Sequence, residues 1–315
     1  MVKILLMLFA PVGVVLASSA VAQTPVPCLK AGLNQKTFES DFAESSAFDE
    51  NASFEPGYKW YRWNWFGIDP DHKLVSRQSD GSISAQGGFQ GHLVSAAKSV
   101  SPAGFVGTAF GGGACIEFIV RFSNTRGKAG NGHPSLWAMS KEHLDGSGDD
   151  QWPGMAPGFS HFAEWDILEY YKVPPPGFLS SWIDWYGPYI KEGSLRVEGK
   201  DCHRPYCKEA GSFAFPSKAI PSNTDWEQWQ KIIGVWTPAG DGKQGCIQTF
   251  FNNVSLAEPH CWNSPDPDGN APLGGLNFSI IDQHHMVLVL SSGDSPISVR
   301  SVKVYQKDGK HNLVN

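Results

Sequence analysis

Nowhere in this chain of 315 residues do apolar side chains hold one helical face for four turns; they come in short runs broken by clusters of Gly, Asp, Asn and Pro. Short runs with period-two alternation are strands, and strands this frequent leave little room for long helices. The clearest spans residues 114–122, where Ile116, Phe118, Val120 and Phe122 alternate with Cys115, Glu117, Ile119 and Arg121, a half-buried pattern. Strand character also marks residues 81–85, 134–139, 162–171, 231–236, 247–252, 285–290 and 299–306. The 34 glycines, 22 prolines, 12 tryptophans and 19 phenylalanines agree with a turn-rich, aromatic chain. Repeats and low-complexity tracts are absent, and no composition shift marks a linker. Residues 36–315 are therefore expected to form a single all-β domain, a sandwich or jelly roll.

The first residues stand apart. Lys3 precedes an apolar run, Ile4 to Leu16, which ends in Ala20-Val21-Ala22; residues 1–22 read as a secretory signal peptide and 23–35 as a leader. No later segment is apolar enough to cross a membrane, so the expected location is secreted, periplasmic or cell-wall associated. A formal charge of −6 without Lys/Arg clusters argues against nucleic acid or an anionic membrane as partner. The chain is expected to act as a monomer. Six cysteines in an exported chain read first as disulfides. The sequence-local pairs Cys202–Cys207 and Cys246–Cys261 are expected, leaving Cys28 for Cys115. A metal site around Asp201-Cys202-His203 and Cys207 is weaker, because it lacks a second pair of ligands.

Three carboxylates crowd into six residues of His161-Phe-Ala-Glu-Trp-Asp-Ile-Leu-Glu-Tyr-Tyr171. On a regular strand Glu164 and Asp166 share a face, with Phe162, while Ala163, Trp165 and Ile167 line the other. Glu169 then has the wrong parity. A single bulge at Ile167-Leu168 returns it to the face of the other two. With that bulge the two glutamates stand about four strand steps apart, roughly 13 Å between backbones, and their side chains can lean together. A carboxyl separation of about 5 to 5.5 Å serves a retaining glycosidase, whereas an inverting one leaves about 6.5 to 9.5 Å for a water. Residues 140–160 and 173–224 read as long loops walling a cleft, and they carry Trp152, Trp182, Trp185, Tyr186 and Tyr189. Flat aromatic faces suit the CH faces of sugars, which makes Trp137, Trp152 and Trp185 candidate platforms.

The pattern Glu164-Trp165-Asp166-Ile167-Leu168-Glu169 resembles the catalytic signature of glycoside hydrolase family 16, in the bulged form of its laminarinase-like members. Gly113 to Phe118, Gly132-His133-Pro134-Ser135-Leu136-Trp137, Val235-Trp236-Thr237-Pro238 and the closing residues 299–306 resemble further strands of that family, in the same order. Trp165 stands where the family usually has a branched aliphatic, His133 where it has Trp, and Ser291-Ser292-Gly293 lacks its Asn; His133 is expected at the groove. The resemblance implies a lectin-like jelly-roll β-sandwich of two antiparallel sheets with a concave substrate groove, and a retaining double displacement. Glu164 would be the nucleophile, Glu169 the acid/base and Asp166 the assistant. It implies a β-linked polysaccharide as partner, a β-glucan first, and no required cofactor. A structural Ca²⁺, which the family sometimes carries, is not legible in the residues. Transglycosylation at the same site, and carbohydrate binding without turnover, are the alternatives.

Other constellations carry less. Gly111-Gly112-Gly113 lacks the Lys-Ser/Thr of a phosphate loop and reads as a flexible lead-in to a strand. His284 and His285 point to opposite faces of any strand and cannot share one ion. No nucleophile elbow supports Ser/His/Asp chemistry.

Overall fold

In the computed structural model, the residues described are 23–100, 104–122, 134–145, 159–171, 177–188, 211–214, 220–221, 223–263, 278–292 and 296–315. Two antiparallel sheets pack face to face as a β-sandwich of the jelly-roll class. The site sheet runs, in spatial order, Gly211–Ala214, Gly177–Pro188, Phe159–Tyr171, Ser135–Ser140, Met286–Ser291, Leu93–Val94 and Tyr61–Arg62. The back sheet runs Val254–Ser255, Gly245–Phe251, Gln230–Thr237, Ala114–Phe122, Ile297–Gln306, Ile83–Ala85 and Val75–Arg77, with Gln35–Asp41 paired to Ile297–Gln306 and His260–Trp262 to Gly245–Phe251. Helices are short, Val26–Lys30 and Lys141–Leu144 among the described residues. No described helix is long and apolar enough to cross a membrane.

Between the sheets, alternate residues interdigitate: Ile116, Phe118, Val120 and Phe122 from one, Leu136, Ala138, Ala163, Trp165, Leu288 and Leu290 from the other. Trp165 is 1% exposed. Its indole lies against Gly234 of the facing sheet, where an added Cβ would stand 3.0 Å from two indole carbons and 3.0 Å from Cγ2 of Ile167. Gly234 thus leaves the space that the bulky ring and the strand beside it fill. On the outer face of Ala114–Phe122 burial exceeds the half-buried expectation, because the N-terminal residues cover it. Cys28 and Leu33 pack there with Cys115, Ile233, Val235 and Tyr305, and Cys28 is bonded to Cys115. Residues 23–35, read as a leader, therefore include a docked helix rather than a plain tether. The second described disulfide is Cys246–Cys261, across paired strands. The Cys202–Cys207 expectation lies outside the described residues.

Two sequence readings are corrected. The stretch 173–224 is not one loop, since Gly177–Pro188 and Gly211–Ala214 are strands of the site sheet. Gly111-Gly112-Gly113 is not a loose lead-in either. A Cβ on Gly113 would sit 2.6 Å from Cδ of Pro238, and one on Gly112 2.8 Å from the His311 ring, so close packing demands the absence of side chains there.

Replacing Gly234 by Val should drive two methyl groups into Trp165 and Ile167. The expected loss is about 1–3 kcal/mol of unfolding free energy by chemical denaturation; an unchanged midpoint would contradict the packing described.

Candidate functional site

Strand register settles which way each acid faces. Against Ser135–Ser140, Glu164 stands opposite Met139, Trp165 opposite Ala138 and Asp166 opposite Trp137; then the register slips, so that Leu168 faces Leu136 and Glu169 faces Ser135. Cross-strand partners share a face. Leu136 and Ala138 belong to the core between the sheets, whereas Trp137 and Met139 belong to the cluster on the outer face of the site sheet. Glu164, Asp166 and Glu169 therefore lie on that outer face together, and Trp165, Ile167 and Leu168 point inward. The slip is the bulge at Ile167-Leu168, present equally against Gly177–Pro188, where Asp166 faces Ser181 and Glu169 faces Leu179.

A bulge leaves backbone groups without ladder partners, and buried ones need substitutes. Here hydroxyls supply them. Ser180, the residue skipped by the register, donates from Oγ to the Asp166 carbonyl at 3.0 Å. Thr249, from the back sheet, donates from Oγ1 to the Ile167 carbonyl at 3.2 Å, and the two hydroxyls lie 3.0 Å apart. Both side chains are buried. The bulge that aims Glu169 is thus clamped from across the sandwich.

Asp166 is 4% exposed while Glu164 and Glu169 are half-buried. Burial pushes the Asp166 carboxyl well above the usual range, and the charges of Glu164 and Glu169 push the same way. A hydrogen bond from Ser181 Oγ to Asp166 Oδ2, 2.6 Å long, opposes them without prevailing. The three carboxyls accordingly form one electrostatic unit in which the middle member favours its proton.

The other candidates fare differently. Trp137 shares the face of the acids but is only 7% exposed; its Nε1 donates to Ser291 Oγ at 3.1 Å and its ring packs on Trp63 at 5.7 Å. It is the floor of the face rather than an open platform. Trp185 pairs in register with Phe162. Trp152, His133, Cys202 and Cys207 lie outside the described residues. His284 and His285 bind different partners, Ser140 Oγ at 2.7 Å and Glu142 Oε1 at 2.5 Å. Among the described residues, no three His, Cys, Asp or Glu side chains gather as a metal site. Sequence reasoning missed Ser180, Ser181 and Thr249, hydroxyl residues whose role exists only across strands. It also missed the rings around Trp137, namely Trp63 and His92 packed on it and Phe66 and Phe89 packed on Trp63.

No family model matches the chain, and no curated protein does. Solved structures do. An endo-1,3-beta-glucanase from Streptomyces sioyaensis is 14% identical, with 89% of this chain and 97% of that one covered and a TM-score of 0.49. An immunostimulatory antigen and pseudo beta-1,3-glucanase of Mycobacterium tuberculosis is 13% identical over 87% and 99%, at 0.45. Peanut lectin is 12% identical over 88% and 98%, at 0.37. The functional reading rests instead on the side chains of this chain.

Two outcomes follow from the site. Thr249→Val keeps the shape but leaves the Ile167 carbonyl without its hydroxyl, and should lower stability by about 1–3 kcal/mol in denaturant titrations. For Asp166, a folded-state pKa above the unfolded one means that its favourable contribution is present below the unfolded value and is lost as pH rises through the folded value. Asp166→Asn should therefore raise the melting temperature at pH 7, with the gain shrinking towards pH 4. A gain that grows in acid would reverse the sign of that coupling.

Proposed function

We propose that the protein is a retaining glycosidase that cleaves a β-linked polysaccharide, a β-glucan, at the face carrying Glu164, Asp166 and Glu169. The observation that carries this reading is the bulge, which brings a third acid onto that face at the expense of regular pairing. A merely solvated acidic surface has no use for it, and a charged carboxyl at the unbulged parity would enter the core.

In this reading Glu164, ionised, attacks the anomeric carbon of the sugar. Glu169 gives its proton to the departing glycosidic oxygen, and the glycosidic bond breaks as the bond to Glu164 forms. Water then enters, Glu169 takes a proton from it, and the ester to Glu164 is hydrolysed with net retention. Asp166 serves both steps by its position. Holding a proton beside the Glu164 carboxylate, it can donate a hydrogen bond to Glu164 and keep the nucleophile oriented, while Ser181 fixes Asp166 itself. The described disulfides, and the signal-like residues 1–22, support export of the chain. Resemblance of the acid motif to the bulged, laminarinase-like form of glycoside hydrolase family 16 points the same way on substrate.

The test is hydrolysis of laminarin, mixed-linkage glucan, agarose and carrageenan by the wild type and by Glu164→Gln. Wild-type cleavage of a glucan, lost by several orders of magnitude in Glu164→Gln with binding retained, is the expected result. Products longer than the substrate would assign transglycosylation. Binding without cleavage by the wild type would sink the enzyme reading.

A further inference from the structure

The outer face of the site sheet carries a set of rings that the catalytic reading does not use. Two contact routes lead to it from the acid-bearing strands. Phe162, two residues before Glu164 and on its face, stacks on His143 at 3.5 Å, and His143 meets Phe66 at 5.8 Å. Trp137, opposite Asp166, packs on Trp63, which meets Phe66 at 5.8 Å and Phe89 at 5.3 Å. Both routes reach Phe66, and the second reaches Phe89 as well. Most rings of this set are buried, but Phe66 is 39% exposed and Phe89 49%.

Two further features set these rings apart from ordinary surface apolar residues. Phe66 holds φ 58° and ψ 23°, the left-handed region that a bulky residue adopts only under constraint, and Gly67 follows it at φ 70°. Glycine at position 66 would remove that strain, so its presence as Phe favours a role for the ring. The second feature is His92, buried between Phe89 at 4.8 Å and Trp137 at 6.3 Å. Burial presses its imidazole down to about 3, against an opposing hydrogen bond with the Ser292 backbone, so the group is neutral at ordinary pH. Beneath the exposed rings there is thus a floor of packed rings continuous with the acid face.

We propose that Phe66 and Phe89 form an aromatic subsite for pyranose rings of an uncharged glucan, beside the acids and on the same face. The inference rests on the glucan reading above for the class of ligand. Flat, neutral, exposed rings present π faces to the CH faces of a sugar. A protein partner would need a far larger patch than two rings.

The test uses the full chain and laminarin as probe. Phe66→Gly, which suits the backbone at that position, is combined with Phe89→Ala, and binding is measured by affinity electrophoresis and calorimetry in the Glu164→Gln background. The expected result is a loss of roughly tenfold or more in affinity for the double variant. In the parent with Glu164, KM should rise while kcat at saturation holds. Phe66→Trp with Phe89→Trp should retain binding, which separates the rings from mere folding. Unaltered laminarin affinity in a folded double variant would overturn the subsite, as would a wild type that laminarin does not retard. Laminarin held through these rings yet never cleaved leaves the subsite standing and removes the enzyme; cleavage with KM unmoved by the ring variants does the reverse.

Discussion

The single extra residue at Ile167-Leu168 is the constraint on which the rest of the site depends. Continued pairing without it would turn Glu169 inward, among Leu136, Trp165 and Leu288, where an isolated carboxylate loses its hydration with nothing in return. With it, two consecutive apolar residues, Ile167 and Leu168, both fill the core and the acid is released to the outer face. The slip also opens backbone carbonyls, which Ser180 and Thr249 close. Because Thr249 belongs to the opposite sheet, the aim of an outer-face carboxyl is held by contacts made inside the sandwich.

That arrangement trades stability for placement. Asp166 is buried beside two like charges, Phe66 keeps a strained backbone, and Gly234 gives up its side chain so that Trp165 and Ile167 fit. Each departs from what would stabilise the fold most, and each lies at the acid face or directly beneath it. Such local exceptions are tolerated where the surrounding strands over-determine the geometry. The surrounding strands here are the longest in the site sheet, Phe159–Tyr171 and Gly177–Pro188.

Legibility followed the physics of each element. Strands such as Ala114–Phe122 and Gln230–Thr237 could be read because their inner positions are apolar and repeat every second residue. Gly177–Pro188 escaped because an inner position carries Ser180 and the next Ser181, so the alternation fails where the strand serves the bulge and Asp166. Gly111-Gly112-Gly113 looked loose for a related reason: composition reports missing side chains, but not the proline and histidine rings that occupy their space. Trp137 was legible as an aromatic on the acid face, yet not as one lying under Trp63.

By itself the sequence determined the all-β class, the crowding of Glu164, Asp166 and Glu169 on one short segment and the parity fault that called for a bulge. These follow from periodicity and counting along one chain. Only the tertiary structure decided what holds the bulge, which carboxyl keeps its proton and which rings stay open to solvent. All three depend on atoms brought together from distant segments, Ser180 and Thr249 on one carbonyl pair and Trp63 between Trp137 and Phe89, and proximity of that kind has no period to read.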